Sequence, residues 1–137
     1  MKRIRLAVGS NDGEKISPGH LGMAKYFYIF DVFEDGTSAL AEKRRNTSPP
    51  EIVTHGDPRK MRAVLQICSG CDAIIGRRLS PNFVRVSKNT EFQPIVIEGE
   101  FLKGIIEEIS KNYDEIYGLI KRRREGMRVE KVPKFPK

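Results

Sequence analysis

The chain has 137 residues, 39% of them hydrophobic and 31% charged, with a formal net charge of +7. That length supports one compact domain with a real core rather than two ordinary ones, and no run approaches the roughly 18 uninterrupted apolar residues of a membrane helix. Two cysteines three apart, with an N-terminus MKRIRLAV that lacks the apolar core of a signal peptide, lead us to expect reduced thiols, a cytoplasmic setting and no membrane association.

The charge is unevenly spread. Between Lys121 and Lys137 eight basic residues face only Glu125 and Glu130, which leaves the first 120 residues near neutral. We expect a domain over residues 1–120 and a flexible basic tail over residues 121–137, where VPKFPK offers two prolines and little to pack. Such a tail is a weak contact for nucleic acid or another anion.

Taken in order, Ile4, Leu6 and Val8 alternate with Arg3, Arg5 and Ala7, a two-residue period that predicts a first strand. A loop from Gly9 to Gly22 follows. Tyr26 to Phe33 is aromatic and β-branched on both sides, as a central strand requires. Asp35-Gly36 predicts a tight hairpin into a third strand, Thr37 to Arg45, whose charged end marks an edge. After the Asn46–Pro50 loop, Asp57-Pro58 predicts a helix start, Met61, Val64, Leu65 and Cys68 its buried face, and Gly70 its end. Asp72–Gly76 predicts a short strand, Ser80-Pro81 the cap of a brief helix, Gln93–Ile97 a fifth strand, and Leu102 to Ile120 one long amphipathic helix. The order β-β-β-α-β-α-β-α predicts a mixed sheet with helices on its faces.

Both histidines fall on glycine-bearing loops, His20 between Gly19 and Gly22 and His55 before Gly56. A histidine so placed either bonds its own loop or stands free for a ligand that the bare glycine backbone lets close. Cys68-Ser69-Gly70-Cys71 sits at a helix C-terminus, where the helix dipole opposes thiolate, so thioredoxin-like chemistry is discounted. Cys68 reads as a packed apolar residue and Cys71 as the more available sulfur. Arg77 and Arg78 precede a helix start and make either an anion-binding corner or a solvated surface pair.

The stretch HLGMAKYFYIFDVFEDG, which follows a strand and a glycine-bearing loop, resembles the HFGRAxYFxIxDVEDG pattern of the dinitrogenase iron-molybdenum cofactor biosynthesis family, small cluster-carrier proteins and their archaeal relatives. Thr54-His55-Gly56 is similar to the family's second HG element, and the likeness extends over about residues 3–120. Leu21 stands where the pattern has phenylalanine, and Arg77-Arg78 where many relatives have further glycine. The resemblance implies an α/β, ribonuclease H-like fold with a five-stranded mixed sheet. It also implies non-enzymatic binding or carriage of an iron-sulfur or iron-molybdenum cluster during cofactor assembly, with cluster donor and recipient proteins as partners. On that basis His20 is the leading cluster contact and His55 the second. Gly22 allows close approach, Arg77 and Arg78 are charge partners, and Cys71 is a further metal donor.

Two-metal hydrolysis would need convergent carboxylates, whereas the first strand offers Leu6, Ala7 and Val8 and only Asp31 and Asp72 lie near strands. Nuclease activity is therefore not expected. The reading from a different class is a nucleic-acid or protein-interaction module that uses the basic tail.

Overall fold

The computed structural model describes residues 1–50 and 58–137. The alternation of β1 (Arg3–Ser10) divides the core between two faces of a sheet. Ile4, Leu6 and Val8 enter one hydrophobic cluster and Ala7 the other. β2 (Tyr26–Phe33) and β3 (Ser38–Arg45) complete an antiparallel meander. It turns at Gly36, whose φ of +90° is the left-handed conformation glycine adopts freely. Asp35 Oδ1 accepts the Thr37 N–H at 3.0 Å and steadies that turn. β3 is exposed along nearly its whole length, as its charged composition requires of an edge.

The chain continues through α1 (Pro58–Ile67), β4 (Ala73–Gly76), α2 (Pro81–Asn89) and β5 (Gln93–Ile97). Ser80 caps α2, its Oγ accepting the Phe83 N–H at 3.2 Å, with Pro81 in the first turn where no donor is needed. The expected cap of α1, Asp57, lies outside the described residues, as does His55. Helices α1 and α2 cover the face bearing Ala7, Ile29 and Ile74. The opposite face, with Leu6, Ile75 and Ile95, is covered by the helices that follow β5.

Those helices are two where one was expected: α3 (Leu102–Lys111) and α4 (Tyr113–Arg124). The break is at Asn112, whose side-chain amide donates to the Glu108 carbonyl at 2.8 Å and so competes with the helical ladder. Asn112 has the non-helical torsions φ −109° and ψ 25°, and the Ile116 N–H restarts the ladder on its carbonyl.

The sheet has six strands in the order β3-β2-β1-β4-β5-β6, which corrects the expected count of five. The additional strand, β6 (Lys134–Phe135), comes from the segment expected to be a solvated tail, and it pairs parallel with β5, Phe135 opposite Ile97. Phe135 is fully buried in the cluster under α3 and α4, reason enough for a short polar segment to bind the sheet. Prolines 133 and 136 do not oppose this, because an edge strand can spare donors. The basic residues around it are engaged as well. Arg123, 2% exposed, donates to the carbonyls of Val86, Ser87 and Thr90 at 2.6–2.9 Å and so closes the C-terminus of α2. Burial pushes its guanidinium down to about 10, which leaves it charged at neutral pH. Arg124 pairs with Asp72, Arg128 with Glu91 at 3.7 Å, and Lys137 with Glu115 at 2.8 Å.

The two strand acids are similarly committed. Asp31 accepts from Arg5 Nε at 2.8 Å and from its terminal nitrogen at 2.9 Å, directly across the β1–β2 ladder. Asp72 Oδ2 accepts the Arg5 backbone N–H at 2.9 Å.

Two outcomes follow for stability. Phe135→Ala should cost about 3 kcal/mol in urea unfolding, the usual loss for a buried ring, and an unchanged midpoint would show that the last strand does not hold the fold. The Arg5 hydrogen bonds hold the Asp31 carboxyl below the ordinary carboxylate range. A native value below the unfolded one means that the stabilisation is complete above about pH 4 and is lost as the pH falls through the lowered native value. Asp31→Asn should therefore cost about 1.5–3 kcal/mol at pH 7 and flatten the acid limb of a stability–pH curve; a limb as steep as in the parent protein would place that titration elsewhere.

Candidate functional site

At the carboxyl ends of β1 and β4 the chain forms a cleft of about 280 Å³. Its walls are the His20 loop, from Pro18 through Met23, and the segment from Gly76 through Ser80, with the ring of Phe83 behind.

The His20 loop is fastened on both sides of its exposed tip. The Ser17 N–H donates to the Gly9 carbonyl at 2.8 Å and the Ile16 N–H to the Glu100 carbonyl at 2.8 Å, and Ile16 is buried. Beyond the tip, Leu21–Met23 forms a single 3-10 turn in which the Met23 N–H donates to the His20 carbonyl at 2.9 Å. Leu21 drops into the core below α1 and α2, and Asn46 Nδ2 donates to the carbonyls of Gly22 and Ala24 at 2.8 and 2.7 Å. Pro18, Gly19, His20 and Met23 are thus the exposed residues of an anchored loop. The His20 imidazole caps nothing and has no hydrogen-bond or ion-pair partner among the described residues.

The opposite wall depends on a close approach. A Cβ on Gly76 would lie 2.6 Å from the Phe83 ring, so only glycine lets α2 settle on the end of β4. The chain then turns through Arg77, half-buried, and Arg78, exposed, before Ser80 caps α2. Neither arginine has an acidic partner among the described residues. Arg77 also borders a second cavity of about 190 Å³ that contains Asp12 and Glu100.

Of the residues expected from the sequence, the structure brings His20, Arg77 and Arg78 together. Gly22 it does not bring: that residue is buried against α1, where a Cβ would come within 3.0 Å of Lys60 and 3.3 Å of Val64. Its bareness serves packing under the loop. Cys71 is also elsewhere. It precedes β4, whereas Arg77 follows it, and a strand of that length separates the two by about 15 Å. Burial pushes the Cys71 thiol up to about 11 and the Cys68 thiol, packed in the apolar cluster, up to about 12, so neither offers thiolate near neutral pH. His55 lies outside the described residues.

Pro18, Met23 and Phe83 line the cleft without having been singled out from the sequence. Met23 carried no local signal, because the one-turn helix Leu21–Met23 that places it beside the cleft is not encoded in a sequence pattern. The chemistry of the lining is one-sided: an imidazole, two guanidinium groups and no carboxylate among the described residues. No group of three His, Cys, Asp or Glu side chains converges anywhere among them. Among the described residues no helix is long and apolar enough to cross a membrane.

No curated protein matches the chain. The NMR structure of a Thermotoga protein described as a "putative NifB protein" is similar in fold, with a TM-score of 0.51 at 21% identity over 79% of this chain and 88% of that one. A family model described as dinitrogenase iron-molybdenum cofactor matches residues 2–112, a span that includes both walls of the cleft. The chain belongs to the dinitrogenase iron-molybdenum cofactor family.

Proposed function

We propose that the cleft binds a preassembled, anionic metal–sulfur cluster of the iron-sulfur or iron-molybdenum type and carries it, without turnover, from a donor protein to a recipient. The family ties the chain to that cofactor. The observation that supports carriage of a finished cluster is the donor set among the described residues: one unpartnered imidazole beside two arginines, with no carboxylate and no accessible thiolate.

A bare iron ion would need several protein donors and would be repelled by the guanidinium groups. A cluster brings its own bridging sulfides, so its metals are already mostly coordinated and its net charge is negative. It needs a nitrogen lone pair at one exposed metal and cations around its anionic face. His20 would supply the first and Arg77 and Arg78 the second. A volume of about 280 Å³ is just below the usual range for organic ligands, which favours a compact inorganic cargo.

The cleft suits release as well as capture. One protein donor leaves the cluster's other metals open to a recipient's ligands. The order of the first five strands, β3-β2-β1-β4-β5, supports a ribonuclease H-like reading of the scaffold. Asp31 and Asp72 hold arginines and the β1 backbone, which favours a binding protein over a nuclease built on that scaffold.

The test is anaerobic reconstitution of the full chain with ferrous iron and sulfide. A visible chromophore should form, and His20→Ala should abolish at least about nine-tenths of it, the usual scale for losing a metal ligand. Arg77→Ala/Arg78→Ala should retain folding and weaken cluster retention, more so at high salt. A chromophore of full intensity in His20→Ala removes the imidazole from the site.

A further inference from the structure

The cleft has a neighbour. Pro18 and Arg77 line both it and the second cavity of about 190 Å³, so the two spaces adjoin at the Arg77 side chain. The cleft alone is smaller than the usual site for an organic ligand, and with its neighbour the space comes within that range.

The two halves differ in chemistry. In the cleft Arg77 and Arg78 have no acidic partner among the described residues. The Ser80 hydroxyl accepts the Phe83 N–H at 3.2 Å and has no acceptor of its own among them. Guanidinium and hydroxyl donors without a carboxylate suit an anion whose oxygens all accept. The second cavity supplies acceptors instead. Lys15 pairs with Glu100 at 3.5 Å, which leaves Asp12 as the carboxylate without an ion-pair partner there. Asp12 Oδ1 accepts the N–H groups of Glu14 and Lys15 at 2.9 and 3.0 Å, and Oδ2 has no hydrogen-bond partner among the described residues. The bonds from Lys15 and Glu14 hold the carboxyl below the ordinary carboxylate range, so it accepts at neutral pH. Its loop is fixed in place: the Leu102 N–H donates to the Glu14 carbonyl at 2.8 Å, and the Lys25 N–H to Asn11 Oδ1 at 2.9 Å.

We propose that the adjoining cavities bind a phosphorylated sugar, its phosphate held by Arg77, Arg78 and Ser80 and its hydroxyl groups donating to Asp12. A phosphate monoester is close to a dianion at neutral pH and presents three accepting oxygens, which arginine matches with paired donors. A sugar hydroxyl gives an ionised carboxylate a charge-assisted hydrogen bond. Such a ligand carries an accepting end and a donating end, one for each cavity. A metal–sulfur cluster has no hydroxyl to offer and uses the cleft alone, so the assignment goes beyond the cluster reading and does not rest on it.

Titration of the full chain with ribose 5-phosphate at physiological ionic strength, followed by calorimetry and by amide chemical shifts, checks the assignment against inorganic phosphate. Ribose 5-phosphate should bind about ten-fold more tightly than inorganic phosphate and shift the amides of Asp12, Arg77 and Arg78 together. Arg77→Ala should weaken both ligands by about ten-fold or more. Asp12→Asn, whose amide oxygen still accepts the N–H groups of the turn, should bring ribose 5-phosphate down to the affinity of inorganic phosphate. Its binding of inorganic phosphate should be unchanged, which shows the variant folded. Adenosine 5′-monophosphate carries the same phosphate and vicinal hydroxyls on a base, and its affinity beside that of ribose 5-phosphate tells which source of this chemistry the site takes. Ribose 5-phosphate bound no more tightly than inorganic phosphate, or as tightly by Arg77→Ala or Asp12→Asn as by the parent chain, overturns the proposal. Asp12→Asn should still form the full chromophore with iron and sulfide, so the two readings fail separately.

Discussion

The parallel pairing of β1 with β4, Leu6 opposite Ala73, Ala7 opposite Ile74 and Val8 opposite Ile75, is the constraint from which the rest follows. On its other side β1 pairs antiparallel with β2, so the chain leaves β1 in one direction and returns to its neighbour β4 from the other. Loops that leave two adjacent parallel strands in this way part at their carboxyl ends and open a crevice. The His20 loop leaves β1 and the Arg77-Arg78 segment leaves β4, and the crevice is the cleft. Two glycines at those strand ends allow it to form. A Cβ on Gly9 would lie 2.7 Å from Ala24 Cβ and one on Gly76 2.6 Å from the Phe83 ring, so in each case the packing beside the strand end would have to shift.

Charge is sorted by the same architecture. Asp31 and Asp72 are neutralised by Arg5 and Arg124 near the amino end of β4, and Arg123 closes the end of α2. Lys60, 8% exposed, donates to Ser48 Oγ and the Pro49 carbonyl beneath the His20 loop. With these groups engaged, Arg77 and Arg78 remain as the cations that face the cleft, and no carboxylate among the described residues offsets them. A chain whose overall charge suggests a nucleic-acid contact therefore also gathers two arginines in a small concave corner.

Periodicity made most of the fold legible: Ile4, Leu6 and Val8, the Asp35-Gly36 turn and the Ser80-Pro81 cap are all where local chemistry places them. Three features depended on tertiary contacts that no local pattern encodes. Phe135 reads as a stray aromatic among prolines until β5 offers an edge, Arg123 as one of a run of solvated cations until the carbonyls of α2 are brought to it, and Asn112 as a polar position on a helix whose interruption depends on which carbonyl its amide meets. His20, Arg77 and Arg78 drew notice in the sequence as unusual residue types at element ends, and the structure sets them around one cleft. Gly22 misled because a glycine required for packing against Lys60 and Val64 reads the same as one required for a ligand. Cys71 misled because a strand of four residues is enough to carry it to the wrong end of the sheet.

The most direct measurement is pulsed electron paramagnetic resonance on the anaerobically reconstituted, reduced protein grown with ¹⁵N-labelled histidine. The account predicts a hyperfine coupling from a histidine nitrogen on the cluster that changes with the isotope and vanishes in His20→Ala. A cluster signal without histidine nitrogen coupling, or one whose coupling survives that substitution, would contradict it.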